Sequence, residues 1–182
     1  MASLDVLLVM ALKEESQGLF EAAGISPYYT GVGLVKTTYQ LNQWLLEHQP
    51  KRVINLGTVG SKTIAKNALV ECTSFVQRAP HAFLQIKSKM IHTKALTTLP
   101  AVLCGSGDFI EKADPITPCD VFDMEAYAMA FVCAQMNIPF NSIKFVTDHS
   151  DENLIHDWKK NLHFSAESLL KCYREITTKI SD

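Results

Sequence analysis

The sequence lacks the marks of several common protein classes. Its 182 residues carry a formal net charge of -2, and a pI of about 6.3 leaves no basic surplus for binding a phosphate backbone. No apolar run reaches the roughly 18 residues that a membrane-spanning helix requires. We therefore expect neither a nucleic acid nor a membrane as a partner.

Paired cysteines and metal-binding motifs are missing as well. The five cysteines are odd in number and have no CxxC spacing, which favours reduced thiols over disulfides or a zinc site. His149, His156 and His163 recur every seven residues, whereas a helical zinc site needs ligands four residues apart. We therefore expect no metal and no cofactor.

The first apolar run does not have the pattern of a leader peptide. Residues 4–12, LDVLLVMAL, have no basic segment before them and are followed by Lys13, Glu14 and Glu15. A secretory signal needs a basic segment, and a membrane span needs a longer run. We expect a cytoplasmic protein.

What the chain does contain is an alternation of apolar runs and helical patterns. With 47% hydrophobic residues, residues 1–182 suffice for a single domain with a sizeable core. The patterns predict strands at 5–12, 52–57, 100–105 and 141–147 and helices at 14–24 and 34–48. This alternation favours an α/β fold, in which ligands bind beyond the carboxyl ends of the strands.

Two further segments have weaker patterns. Residues 67–77 and 81–87 resemble strands, while the remainder of 67–103 has no clear period. The tail from 153 to 178 is predicted to form one or two helices. Four of its side chains are available to face the core, namely Trp158, Leu162, Leu169 and Leu170.

Three glycine-containing turns follow strand-like runs, at residues 30–36, 56–62 and 104–108. Glycine lets the backbone approach a ligand closely. None of the three has the spacing of a dinucleotide-binding loop or of a P-loop. They are either ordinary turns or parts of a site of another kind.

Acidic residues recur at the ends of the predicted strands and at the start of a helix. They are Glu14, Glu15, Asp108, Glu125 and Asp148. Any one of them could be a solvated acid or a helix cap, as Asp123 could be. Asp148 differs because it follows an apolar strand, where desolvation raises a carboxyl pKa and suits the group to donate a proton.

Taken in order, several segments of the chain resemble the nucleoside phosphorylase and nucleosidase superfamily, and most closely the bacterial methylthioadenosine/S-adenosylhomocysteine nucleosidases. The segments are VMALKEE, TGVGLVKTTYQL, VINLGTVGS, SGDFI and DMEAYAMAFVCAQMNIPFNSIKFVTDHSDE. The resemblance covers residues 6–62 and 104–158. It implies a three-layer fold with a central mixed, mostly parallel sheet flanked by helices.

The resemblance also implies roles for individual residues. The water-activating glutamate of the family falls on Glu15, and the acid that protonates the leaving group falls on Asp148. The pair that binds ribose falls on Met124 and Glu125. The purine-stacking position falls on Phe109, with Ile110 alongside. The loop that lines the sugar and water site matches Thr58, Val59 and Gly60, and an aromatic lid matches Trp158.

Members of the family form homodimers through helices beside the active site. An apolar patch of this kind could come from the second predicted helix and from the helix that begins after Met124. The residues are Tyr39, Trp44, Leu46, Phe131 and Met136. They could equally be core residues.

The function implied is hydrolysis of the N-glycosidic bond of a purine nucleoside such as methylthioadenosine or S-adenosylhomocysteine. A phosphate-dependent phosphorylase is the first alternative, but such enzymes clamp phosphate with arginine. The only arginines are Arg52, Arg78 and Arg174, and none lies in a glycine turn, so water is the preferred acceptor. Because the middle, about 63–103, is shorter than in the family, the nucleoside stays open, and a non-catalytic nucleoside-binding protein is the second alternative.

Overall fold

A computed structural model describes residues 4–78, 89–109 and 118–181. The strands in these ranges are β1 Val6–Met10, β2 Tyr28–Tyr29, β3 Arg52–Gly60, β4 Leu69–Gln77, β5 Ile91–His92, β6 Ala101–Ser106, β7 Val121–Asp123 and β8 Phe140–Asp148. The α-helices are α1 Leu19–Ala22, α2 Leu34–His48, α3 Ala126–Gln135 and α4 Leu154–Ser181, and a 3-10 turn spans Lys13–Glu15. No helix within the described ranges has both the length and the apolar character needed to cross a membrane.

The eight strands of the described residues form one mixed sheet. β1, β3 and β8 are parallel neighbours, and so are β4, β6 and β7. Antiparallel pairing of β4 with β8 and of β7 with β3 joins the two sets. β3, β7, β6, β4 and β8 therefore close into a ring, and the predicted mixed, mostly parallel sheet is confirmed.

Helices cover both faces of the sheet because successive side chains of each strand point to opposite faces. Leu7 and Val9 of β1 belong to a core that includes residues of α2 and α3, while Leu8 and Met10 belong to a core with α1 and α4. A strand covered on both faces needs a continuous apolar run. The three-layer α/β prediction is thus confirmed.

Most of the individual elements agree with the sequence patterns. α2 has the predicted bounds, and the tail forms a single helix in which Leu162 and Leu169 are buried. The prediction of one helix over 14–24 is wrong, because Gln17 and Gly18 adopt φ angles of 49° and 72° that a right-handed helix cannot contain.

Two other segments allow no such comparison. β7 is not predicted, since three residues give no periodic signal. The strand-like run 81–87 lies outside the described residues.

The carboxyl ends of β1, β3 and β8 meet at one edge of the sheet. Val59 pairs with Val146 and Gly60 with Asp148, so the register shifts between these pairs and leaves Thr147 as an extra residue in β8. Such bulges re-aim side chains beside functional sites. The 3-10 turn after β1 brings Glu15 to the same edge.

Candidate active site

A cavity of about 310 Å³ lies at this edge of the sheet. Nine of the ten side chains or backbone positions predicted for the site line it, namely Glu15, Thr58, Val59, Gly60, Phe109, Met124, Glu125, Asp148 and Trp158. The tenth, Ile110, lies outside the described residues. Folding therefore brings together predicted site residues from almost the whole length of the chain.

Glu15 is held by four hydrogen-bond donors. The N–H groups of Ala11 and Leu12 donate to its Oε2 at 3.2 and 3.1 Å. Both the N–H and the hydroxyl of Thr58 donate to its Oε1 at 2.8 Å. Since an ionised carboxylate accepts hydrogen bonds and donates none, this arrangement suits a charged Glu15 that is buried but still borders the cavity.

Asp148 is the last residue of β8, and its carboxyl group is also buried. Its Oδ2 accepts a hydrogen bond from the Thr147 hydroxyl at 2.7 Å, and its Oδ1 accepts one from the Ser150 N–H at 2.9 Å. Burial raises the pKa of Asp148 despite these two bonds. The group therefore holds a proton more readily than an exposed aspartate does.

Glu125 lies just before α3 and points to the start of α2. The N–H of Gly33 donates to its Oε1 at 2.9 Å, and the neighbouring N–H of Leu34 donates to Asp108 at 2.7 Å. Gly33 has a φ of 100°, and an added Cβ would lie 2.8 Å from Asp108 Oδ1, so only glycine fits. Burial and then the charge of Asp123 raise the pKa of Glu125 to about 8.

A buried ion pair lies behind Glu125. Lys144 Nζ is 3.0 Å from Asp123 Oδ2, and both side chains are almost completely buried. Burial alone would raise the pKa of Asp123, but the charge of Lys144 lowers it below its ordinary value. Asp123 Oδ2 also accepts a hydrogen bond from the Ala126 N–H, the first of α3, at 3.0 Å. Asp123 therefore caps a backbone donor of this helix, although Glu125 is the residue that directly precedes it. Asp123 is buried and not a solvated acid.

Arg78 is a second buried cation, and unlike Lys144 it lines the cavity. Its guanidinium donates to backbone carbonyls around the turn that follows β6, namely those of Gly105, Gly107, Phe109 and Asp123, at 3.0 to 3.4 Å. It also lies 4.6 Å from the centroid of the Phe109 ring. Arg78 thus holds the turn that carries the predicted purine-stacking residue.

Apolar side chains line much of the remaining cavity surface. They include Val32, Phe122, Met124, Leu154, Ile155 and Trp158. Such a surface suits the flat face of a base or an apolar substituent, while the carboxyl groups suit a polar sugar. Within the described ranges, no group of three or more His, Cys, Asp or Glu side chains could hold a metal ion.

The sequence reasoning missed Lys144 and Arg78. Lys144 is the one charged residue inside the apolar run IKFVT, so a buried cation that needs an acidic partner could have been inferred there. Arg78 directly follows β4, and the argument that places acids at the carboxyl ends of strands applies to it equally. No arginine lies within a glycine turn, as the sequence indicated, but Arg78 contacts the third turn from the end of β4.

Comparison with known proteins shows a resemblance to one family and a shared fold. Residues 91–178 match the family model of the phosphorylase superfamily. A stretch of 60 residues is 37% identical to the 5′-methylthioadenosine/S-adenosylhomocysteine nucleosidase of Buchnera aphidicola, and it covers 33% of this chain and 26% of that protein. The resemblance predicted from the sequence is confirmed.

Solved structures agree over almost the whole chain. A mutant of the Helicobacter pylori methylthioadenosine/S-adenosylhomocysteine nucleosidase, with 5′-methylthioadenosine in its active site, has a TM-score of 0.82 and 19% identity, over 98% of this chain and 100% of that chain. A futalosine hydrolase mutant of Helicobacter pylori has a TM-score of 0.82 and 19% identity, over 97% and 99%. At this level of identity the likeness shows the fold alone.

Proposed function

We propose that this chain, which has the fold of the phosphorylase superfamily and matches its family model over residues 91–178, is a purine nucleosidase. The observation that carries the proposal is the convergence of Glu15, Glu125 and Asp148, three buried carboxyl groups from separate elements, on one cavity. The three carboxyl groups have different hydrogen-bond partners. Each therefore suits a different step of N-glycosidic hydrolysis.

Asp148 protonates the leaving base in this proposal. Breaking the bond between a sugar and a purine expels an anionic base unless a ring nitrogen receives a proton, and the sugar develops positive charge. The raised pKa of Asp148 keeps a proton available for that transfer. Phe109 and Trp158 offer aromatic faces on which the base can stack.

Glu15 orients and deprotonates the attacking water. Its four donors hold the carboxylate at the cavity wall, so it can accept a proton from water without first being rearranged. Glu125 accepts hydrogen bonds from the ribose hydroxyls, with Met124 packed against the sugar. A positioned acid or base of this kind typically contributes about 10²- to 10⁴-fold in rate.

The proposed substrate is methylthioadenosine, S-adenosylhomocysteine or a related nucleoside. Support comes from the 60-residue match to a methylthioadenosine/S-adenosylhomocysteine nucleosidase and from the apolar side chains that border the cavity. The futalosine hydrolase has an equal TM-score, so the fold does not select among nucleosides with different substituents.

Water is preferred over phosphate as the acceptor. A phosphorylase would need cationic donors directed at phosphate, and four backbone carbonyls already accept bonds from the Arg78 guanidinium. Arg52 donates to Asn141 at the far end of β8, and Arg174 lies within α4. Neither lines the cavity.

Release of free adenine from methylthioadenosine and S-adenosylhomocysteine, followed by chromatography with and without phosphate, tests the proposal. We expect release that does not depend on phosphate. Strict dependence on phosphate would replace the nucleosidase with a phosphorylase. Thermal stabilisation by nucleosides without release from any purine nucleoside would identify a binding protein instead.

We also propose that the protein is a homodimer. A groove of about 740 Å³ runs between α2 and α3 and is lined by apolar residues that include Val35, Tyr39 and Phe131, which are 78%, 62% and 41% exposed. Contiguous exposed apolar side chains of this kind mark surfaces that contact another protein. Trp44 is not part of it, because its ring packs against Tyr28 at 5.1 Å.

Two further expectations are kept as proposals. We propose a cytoplasmic location, since all five cysteines lie in the described residues and none is joined in a disulfide, which suits a reducing compartment. We propose a single domain with a shortened middle, since the helices on both faces pack on one ring of strands.

A further inference from the structure

The indole of Trp158 makes a specific polar contact in addition to lining the cavity. Its Nε1–H donates to Thr58 Oγ1 at 3.0 Å. The Thr58 hydroxyl in turn donates to Glu15 Oε1 at 2.8 Å. A continuous hydrogen-bond chain therefore runs from α4 through β3 to the carboxylate that the proposed function uses as its base.

The chemistry of the three groups sets the direction of this chain. An indole N–H can only donate, and an ionised carboxylate can only accept. The Thr58 hydroxyl therefore accepts from Trp158 and directs its single proton to Glu15. Without the indole N–H, the Thr58 hydroxyl loses one of the hydrogen bonds that fix its orientation.

Two contacts on either side of Trp158 hold α4 in place. Lys66 Nζ lies 2.5 Å from Asp157 Oδ2, and Asn161 Nδ2 donates to the Thr147 carbonyl at 2.8 Å. The first contact ties α4 to the loop after β3, and the second ties it to the end of β8. The indole is thus fixed relative to both strands that carry the site.

We propose that Trp158 is a positioning residue for Glu15, acting through the Thr58 hydroxyl, an inference that rests on the proposed nucleosidase function. The indole N–H keeps the hydroxyl pointed at the carboxylate, so Glu15 is already oriented as a charged acceptor when water enters. Substrate binding does not depend on this bond, whereas the rate of proton transfer to Glu15 does.

Other titratable groups face Glu15 from neighbouring elements. An added Cβ at Gly57 would lie 3.1 Å from Glu15 Oε1 and 3.2 Å from Lys144 Nζ, which places both groups beside Gly57. Glu125, before α3, and Tyr29, in β2, also interact electrostatically with Glu15. All three groups remain when Trp158 is changed, so a change in pH dependence reports on the hydrogen-bond chain.

The test compares Trp158→Phe, which keeps an aromatic ring but removes the N–H, with Thr58→Val and with the double variant. We expect Trp158→Phe to lower kcat about two- to tenfold, as the loss of one hydrogen bond does, with little change in KM. The acidic limb of the kcat profile should move to higher pH. In the Thr58→Val background, Trp158→Phe should have no further effect on that limb.

The matched control is Trp44→Phe, because Trp44 packs on Tyr28 away from the cavity and its replacement should leave the pH profile unchanged. The proposal is overturned if Trp158→Phe changes KM alone, or if its effect and that of Thr58→Val combine independently.

A fluorescence titration separates this proposal from the proposed function, because it needs no turnover. Trp44→Phe leaves Trp158 as the only tryptophan of the two in the chain. We expect its emission to show a pH transition that Glu15→Gln and Thr58→Val each abolish and Asp148→Asn retains. A transition that survives Glu15→Gln, or no transition at all, would overturn the proposed hydrogen-bond chain even in an active enzyme.

Discussion

The two ends of β8 both contain buried polar groups, yet they differ in how completely the protein satisfies them. Near the amino end, Glu71 is fully buried and accepts four hydrogen bonds. Its donors are the N–H of Leu96, the N–H and hydroxyl of Thr97 and the side-chain amide of Asn141, at 2.7 to 3.1 Å. This carboxylate has no need of a ligand.

The carboxyl end of β8 leaves acceptor capacity open to the cavity. Among the described residues, the Asp148 carboxyl group accepts two hydrogen bonds and that of Glu125 accepts one. Burial raises the pKa of both groups. A buried acid with few donors is favoured in its neutral form. The number of partners therefore separates an acid that can supply a proton from one that stabilises the fold.

Glu15 shows that partner number is not the whole distinction. It accepts four bonds, as Glu71 does, but it borders the cavity. A general base must be charged before it can accept a proton, so a well-satisfied carboxylate at a cavity wall suits that role. The role of each acid therefore depends both on its hydrogen-bond donors and on whether it borders the cavity.

Replacing Asp148 should have the largest effect. Asp148→Asn keeps the shape but cannot deliver a proton, so we expect kcat to fall about 10²- to 10⁴-fold while binding of an unreactive nucleoside analogue persists. Product release and calorimetric titration measure the two quantities. If Asp148→Asn abolishes binding while Glu125→Gln leaves binding intact, the two roles are wrongly assigned.

The next effect in size comes from the backbone beside Asp148. An added Cβ at Gly60 would lie 2.3 Å from Ser150 Oγ and 2.7 Å from Asp148 Oδ1, so Gly60→Ala must displace the acid. Because a shift of about 1 Å can cost roughly 100-fold in rate, we expect a loss of that order in kcat. Thermal melting should show that the fold is retained, and unchanged turnover would mean that Asp148 tolerates displacement.

Glu125 should affect affinity, and in a pH-dependent way. Ribose hydroxyls donate best to the charged carboxylate, but a pKa of about 8 leaves the empty site largely neutral at lower pH. Affinity for a nucleoside analogue should therefore fall as the pH drops below about 8, by up to about tenfold per unit. Glu125→Gln should weaken binding about tenfold and remove this dependence.

The charged groups around Glu125, namely Asp123, Lys144 and Glu15, stay in place in Glu125→Gln. Any pH dependence of affinity that comes from them should therefore remain in this variant. A 2′-deoxynucleoside should lose less affinity on Glu125→Gln, because one of the contacts is already absent. A pH dependence that survives in Glu125→Gln would assign it to another group.

The smallest kinetic effect is expected at the amino end of β8. In Glu71→Gln an amide NH₂ must face donors that now bind oxygen, so the free energy of unfolding should fall by about 1–3 kcal/mol with kcat and KM unchanged. Urea unfolding measures this, with Glu47→Gln, an exposed position on α2, as the matched control. A loss of turnover without a loss of stability would show that the two ends of β8 are not separate.

Local patterns predict those parts of the fold that depend on local causes. α2 follows from its apolar spacing and from Pro50 after its end. Glu15 after β1 and Asp148 at the end of β8 lie at one edge of the sheet, as expected, because parallel strands share one ligand-binding edge. The break at Gln17 and Gly18 and the three-residue β7 escaped prediction, since a short segment carries no period. Asp123 was harder still, because its partner Lys144 lies on another strand.

The alternation of strands and helices can be read from the sequence alone. So can the apolar runs that two covered faces require and the carboxyl groups at the ends of the strands. Which acids remain open to the cavity follows from the tertiary structure, because the donors to Glu71, Glu15 and Asp123 include Leu96, Thr58 and Lys144, which are distant in the chain. Hydrogen bonding and desolvation act through space. The protonation state and the role of each buried acid therefore arise only when the ring of strands closes.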